Sequence, residues 1–127
     1  MAQVFQDETT LIISEVFDRV ANSEAWVPEL WRFEVFNTLN VSIRRGRIGL
    51  NDRGRILIHL DSLPIRFDTE TYRFCWTKTA ELADLHKLTI YDAAYLELAL
   101  RLTLPLATLD RDLRKAAQAE GVALLGM

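Results

Sequence analysis

The sequence predicts an α/β fold, with a mostly parallel central sheet flanked by helices. Three observations carry the prediction. Short apolar runs alternate with longer helical patterns along the 127 residues, and such alternation is the mark of strand–helix units. Half the residues are hydrophobic, with only five Gly and three Pro, so a packed core is expected rather than disorder. Acidic residues fall where apolar runs stop or helices open, as in Thr89-Ile90-Tyr91-Asp92-Ala93-Ala94-Tyr95 and Leu106-Ala107-Thr108-Leu109-Asp110-Arg111-Asp112. Ligands of α/β sheets gather outside the carboxyl ends of the strands.

The elements follow in order. Thr9 to Val20 predicts an amphipathic helix, with Ile12, Val16 and Val20 on one face. Asp7, Thr9 and Thr10 offer capping groups. Ala25-Trp26-Val27 reads as a strand, and Pro28 suits the first turn of a helix running to Arg44, ended by Gly46. Leu50 to Leu63 reads as a helix with Asn51 as its N-cap and Pro64 as its stop. Gly54 within it costs about 1 kcal/mol relative to Ala. Ile65-Arg66-Phe67 is a brief strand, with Asp68 placed to cap one helix from Thr69 to Lys87. Thr89 and Asp92 have capping-box spacing for a helix ending near Leu102. Leu106 to Leu109 is a short buried strand. Leu113 to Glu120 is a last helix closed by Gly121, and Val122 to Leu125 a final strand.

Composition narrows the function. The length fits one domain, 1–127. The net charge of −3 argues against a broadly cationic surface but leaves room for a local basic patch. A single Cys, Cys75, excludes an internal disulfide and a cysteine-rich zinc site, and two His make a histidine-based metal site a poor expectation. The acidic N-terminus does not read as a signal peptide, and no apolar stretch is long enough to span a bilayer. A cytoplasmic protein with no membrane contact is expected.

Three carboxylates on separate elements are the candidate site. Glu34 lies inside the apolar segment Trp31-Arg32-Phe33-Glu34-Val35-Phe36-Asn37, where a charge is costly unless paired, protonated or cation-bound. Asp92 sits at a helix start and Asp110 where an apolar run ends. Clustered carboxylates repel unless a cation or a proton joins them. Mg²⁺ or Mn²⁺ suits an all-oxygen set and serves phosphodiester hydrolysis. Asp112 is a further ligand candidate, and Asn37 and Thr108 are candidates for supporting hydrogen bonds. Taken singly, Asp92 also reads as a helix-start anion, Asp110 and Asp112 as N-caps, and Glu34 as half of a salt bridge. Arg44, Arg45, Arg47, Arg53 and Arg55 crowd twelve residues. They read either as RNA phosphate contacts or as a solvated face. Phe36, Leu39, Ile43, Ile56 and Leu60 form an apolar stripe, read as core with an interface as the alternative.

The ordered set Glu34-Val35-Phe36-Asn37, Tyr91-Asp92-Ala93-Ala94-Tyr95 and Thr108-Leu109-Asp110 resembles the PIN domain of VapC-type ribonuclease toxins, from bacterial VapBC toxin–antitoxin pairs. The similarity runs from about Val4 to Leu125. It implies a PIN-like three-layer sandwich and a metal-dependent endoribonuclease with Glu34, Asp92 and Asp110 as catalytic metal ligands. It also implies a homodimer and a VapB-type antitoxin covering the acidic groove. Family members begin with a strand that carries a catalytic Asp. Met1-Ala2-Gln3-Val4 reads as starting beyond it, so the N-terminal strand and its Asp are expected to be missing, with Asp7 and Glu8 in a loop. That absence raises the alternative of an impaired, binding-only PIN-like module for antitoxin, RNA or itself. A phosphoacceptor receiver domain would need an acidic pair after the first strand and a late Lys near the site, and neither is evident.

Overall fold

The computed structural model describes residues 2–6 and 24–125. The helix expected from Thr9 to Val20, with Asp7 and Glu8 before it, lies outside the described residues. Five strands are present: β1 (Ala2–Phe5), β2 (Glu24–Pro28), β3 (Ile65–Asp68), β4 (Leu106–Ala107) and β5 (Leu124–Leu125). Six described helices accompany them: α1 (Trp31–Arg44), α2 (Leu50–Asp61), α3 (Thr71–Phe74), α4 (Lys78–His86), α5 (Ile90–Leu102) and α6 (Arg111–Ala119). The sheet order is β3-β2-β1-β4-β5, and every neighbouring pair is parallel.

The expectation of a missing first strand is overturned. Ala2–Phe5 forms a strand at the middle of the sheet, with Val4 paired to Trp26 on one side and Leu106 on the other. The Val4 N–H donates to the Pro105 carbonyl at 2.9 Å, and the Gln6 N–H to the Ala107 carbonyl at 2.9 Å. Four residues suffice here because partners on both sides satisfy the backbone. The segment is hard to recognise in the sequence because it is brief and carries no carboxylate.

The chain runs outward from β1 through β2 to β3, then crosses back to β4 and β5 on the other side. The order therefore reverses between β1 and β4. In open α/β sheets the crevice beyond the carboxyl ends at such a reversal is the natural ligand site. Here that crevice opens beside Gln6 and Thr108, the residues that follow β1 and β4.

α5 forms the centre of the core. Ala93 through Ala99 are all buried, as expected of a helix that is apolar nearly all round. Val4, Val27, Leu82, Leu96, Leu106 and Leu113 pack in the same cluster. Glu97 is buried within α5 at 2 % exposure and is held by Arg101 one turn on, at 2.7 Å. Arg101 also reaches Asp68 at the end of β3, at 2.6 Å, which ties the sheet edge to the central helix. Burial alone would raise the Asp68 carboxyl, but its bonds to Arg101 and Thr71 hold it below the ordinary range.

Several boundaries differ from expectation. Pro28 ends β2, paired with Asp68, instead of opening α1, which begins at Trp31. α1 does end at Gly46, where φ is +70°. The Gly46 N–H donates to Ile43 and the Arg47 N–H to Ser42, the paired bonds of a Schellman C-cap. Gly49, not Asn51, is the N-cap of α2, and its N–H donates to Asp52 Oδ2 at 2.7 Å. The helix expected from Thr69 to Lys87 is two helices, α3 and α4, because Thr77 between them leaves helical geometry (φ −117°, ψ −97°). Asp68 spends its oxygens on Arg101 and Thr71, while Glu70 is the residue that opens α3.

Candidate active site

Asp92 is placed by the start of α5. Thr89 is the N-cap, and its Oγ1 accepts from the Asp92 N–H at 3.1 Å. The positive helix end favours an anion there. The Asp92 carboxylate reaches across to the sheet, where its Oδ1 accepts from Gln6 Nε2 at 2.8 Å. Gln6 is buried at 6 % exposure. Its Oε1 accepts from the Thr108 hydroxyl at 2.6 Å, and Thr108 Oγ1 in turn accepts from the Asp110 N–H at 3.1 Å. One hydrogen-bonded chain thus links the ends of β1 and β4 to α5 and to the start of α6.

Asp110 is both a site residue and a cap. Its Oδ2 accepts from the Leu113 N–H at 2.8 Å as the N-cap of α6. Glu34 enters from α1, where its Oε1 accepts from the Tyr95 hydroxyl at 2.5 Å. Tyr95 lies one turn after Asp92 on α5, so a single helix presents both groups. Arg32, two residues before Glu34, turns away and stacks over Phe67 at 4.2 Å.

The electrostatics show a pocket short of positive charge. Burial raises the Glu34 carboxyl above its ordinary value. The Tyr95 bond opposes this, and nearby Asp92 adds to it. Burial likewise raises Asp92. The Gln6 bond opposes this, and Asp110 and then Asp112 add repulsion. Among the described residues no ion pair involves Glu34, Asp92, Asp110 or Asp112. Their partners named above are neutral: a phenol, a carboxamide and a backbone amide. The salt bridge considered for Glu34 is not among them.

Glu34, Asp92 and Asp110 are therefore near enough to repel, though no three His, Cys, Asp or Glu of the described residues form a ready cation cage. A hard cation that keeps several waters fits such a set, because it needs few direct carboxylate ligands. Asp112 is exposed and lines a cavity of about 410 Å³ with His86, Lys87 and Lys115. Asn37 is exposed on α1, and Thr108 is fully buried. Arg44, Arg45 and Arg47 lie exposed around the end of α1. Sequence reasoning missed Gln6 and gave Tyr95 no role. The one available signal for Tyr95 was its spacing of three from Asp92.

The comparisons agree with this geometry. A family model described as PIN domain matches residues 2–119. The crystal structure of PAE2754 from Pyrobaculum aerophilum is similar in fold, with a TM-score of 0.69 and 22 % identity over 98 % of this chain and 92 % of that one. No curated protein sequence matches the chain.

Proposed function

The chain belongs to the PIN domain family, whose members are generally nucleases that use divalent metal ions, and from that premise we propose that it is a metal-dependent endoribonuclease. The observation that carries the proposal is the uncompensated acidic pocket at the sheet's reversal point, with Glu34 and Asp92 both raised by burial and by neighbouring carboxylates. Glu34, Asp92 and Asp110 would hold Mg²⁺ or Mn²⁺, with Asp112 contributing through water. When bound, such a cation polarises the phosphodiester and makes water a better nucleophile. The protein's own contribution is positional. Tyr95 orients Glu34, and Gln6 and Thr108 orient Asp92 and the Asp110 backbone. Arg44, Arg45 and Arg47 would neutralise phosphates of the RNA strand.

We further propose a toxin role of the VapC type, with a homodimer and a VapB-type antitoxin as partners. Large apolar side chains exposed on α1 and α2 support an interface there: Phe33 at 83 %, Leu50 at 63 % and Ile58 at 72 %. A binding-only module is the second reading. It is favoured by one observation, that a neutral Gln6 occupies the pocket corner beside Asp92.

The test is cleavage of a mixed RNA pool by the purified chain in Mn²⁺, with EDTA and Asp92→Asn controls. Cutting that EDTA and the substitution both abolish is the expected result. Absence of cutting by folded protein that still binds RNA would select the second reading.

A further inference from the structure

Gln6 sits at the junction of the acidic pocket and the sheet, and its two amide atoms face different partners. Nε2 donates to Asp92 Oδ1 at 2.8 Å, and Oε1 accepts from Thr108 Oγ1 at 2.6 Å. The chemistry of the partners fixes this orientation. A flipped amide would set its oxygen against the Asp92 carboxylate, acceptor facing acceptor. Gln6 and Thr108 are 6 % and 0 % exposed, so water does not compete for these bonds, and losing either leaves a buried polar group unmet.

Resting on the nuclease reading above, we infer that Gln6 sets the pocket's affinity for a divalent cation, and sets it low. Its amide supplies a hydrogen to Asp92 Oδ1, the same oxygen a cation would seek. A cation that takes that oxygen must displace a buried hydrogen bond. Gln6 also brings no charge of its own, and its oxygen is already engaged by Thr108. The pocket therefore has one carboxylate fewer than the space beside Asp92 could hold. Gln6 is a positioning residue in this account, acting through Asp92 rather than on substrate.

The isosteric change Gln6→Glu separates charge from shape. A Glu at this position can still accept from Thr108. Its other oxygen would face Asp92 across the gap now spanned by the 2.8 Å bond, and two carboxylates so placed repel until a proton or a cation joins them.

The experiment is calorimetric titration of Mn²⁺ into the full chain, with melting curves in EDTA and in Mn²⁺. The proteins are wild type, Gln6→Glu, Asp92→Asn and the Gln6→Glu/Asp92→Asn double variant. Gln6→Glu is expected to bind Mn²⁺ about ten-fold or more tightly than wild type. It should also melt lower in EDTA and recover in Mn²⁺. The double variant restores an amide–carboxylate pair with its polarity reversed, so it should regain wild-type melting in EDTA and lose the tight binding. Unchanged affinity and unchanged melting in Gln6→Glu, with Asp92→Asn still abolishing wild-type binding, would overturn the role of Gln6 and leave the metal-site reading standing. Absence of Mn²⁺ binding in wild type and Gln6→Glu alike would overturn both.

Discussion

The Tyr95 hydroxyl donates to Glu34 Oε1 at 2.5 Å, joining the buried central helix α5 to a carboxylate on α1. Tyr95 is 1 % exposed, while Glu34 is only partly buried. The ring packs in the core and the hydroxyl serves the site, so one residue couples packing to function. Of the influences on Glu34, this bond is the one that keeps the carboxylate charged against its burial.

Tyr95→Phe tests that coupling. The ring and its packing remain, and one hydrogen bond is removed, so stability should fall by about 1 kcal/mol. Glu34 would protonate more readily, which moves the pH at which Mn²⁺ binding is half lost upward. Urea unfolding and calorimetry at several pH values check both. Unaltered pH dependence of binding would show that Glu34 takes no part in holding the cation.

Stability should respond to pH in a direction set by the acidic pocket. Burial, and then neighbouring carboxylates, raise Glu34 and Asp92 above 4.5 and 3.8. A carboxyl raised in the folded state gives stability that is complete below its unfolded value and is lost as pH climbs through the folded one. In EDTA the protein should therefore gain stability as pH falls from neutral toward 4.5. Asp68 is lowered, so its contribution is present above 3.8 and disappears as pH drops through its folded value. Melting temperature in EDTA should thus rise and then fall on acidification. In Mn²⁺ the first rise should flatten, because a cation replaces the proton.

Arg101 stands between two buried carboxylates, Asp68 and Glu97. It bonds both, with Nη2 to Asp68 at 2.6 Å and Nε to Glu97 at 2.7 Å, and its ring partner is Phe74 at 4.7 Å. Arg101→Met keeps the apolar stem but leaves two charges buried without a cation. Removing one partner of a buried pair costs about 3 kcal/mol or more. Chemical denaturation should show that loss, with Mn²⁺ affinity of the remaining folded protein unchanged.

The exposed arginines at the end of α1 can be separated from the metal site. Arg44→Ala/Arg45→Ala/Arg47→Ala should weaken RNA binding across sequences. Its salt dependence should flatten by about 0.7 in log–log slope for each phosphate that is no longer neutralised. Mn²⁺ affinity should not change. Filter binding over a series of salt concentrations measures the slope, and an unaltered slope would assign these residues to an ordinary solvated face.

Local pattern determined much of this molecule. The strand at Trp26, the helix from Trp31 to Arg44 with its glycine stop, the Thr89 cap and the carboxylates Glu34, Asp92 and Asp110 were all legible in the chain. Each is set by neighbours within a few residues: a capping oxygen, a left-handed glycine, an apolar run that ends in an acid. Tertiary structure decided the rest. That Ala2–Phe5 is the central strand depends on partners more than twenty residues away in β2 and about a hundred away in β4. That Gln6 bonds Asp92 and Thr108 joins positions 86 and 102 residues apart. That Arg101 serves Asp68 as well as its helical neighbour Glu97 spans 33 residues. Spacing along a chain reports contacts within a turn of helix or a step of strand. It does not report which distant backbone completes a hydrogen-bond ladder, or which buried amide meets a carboxylate across the sheet's reversal point.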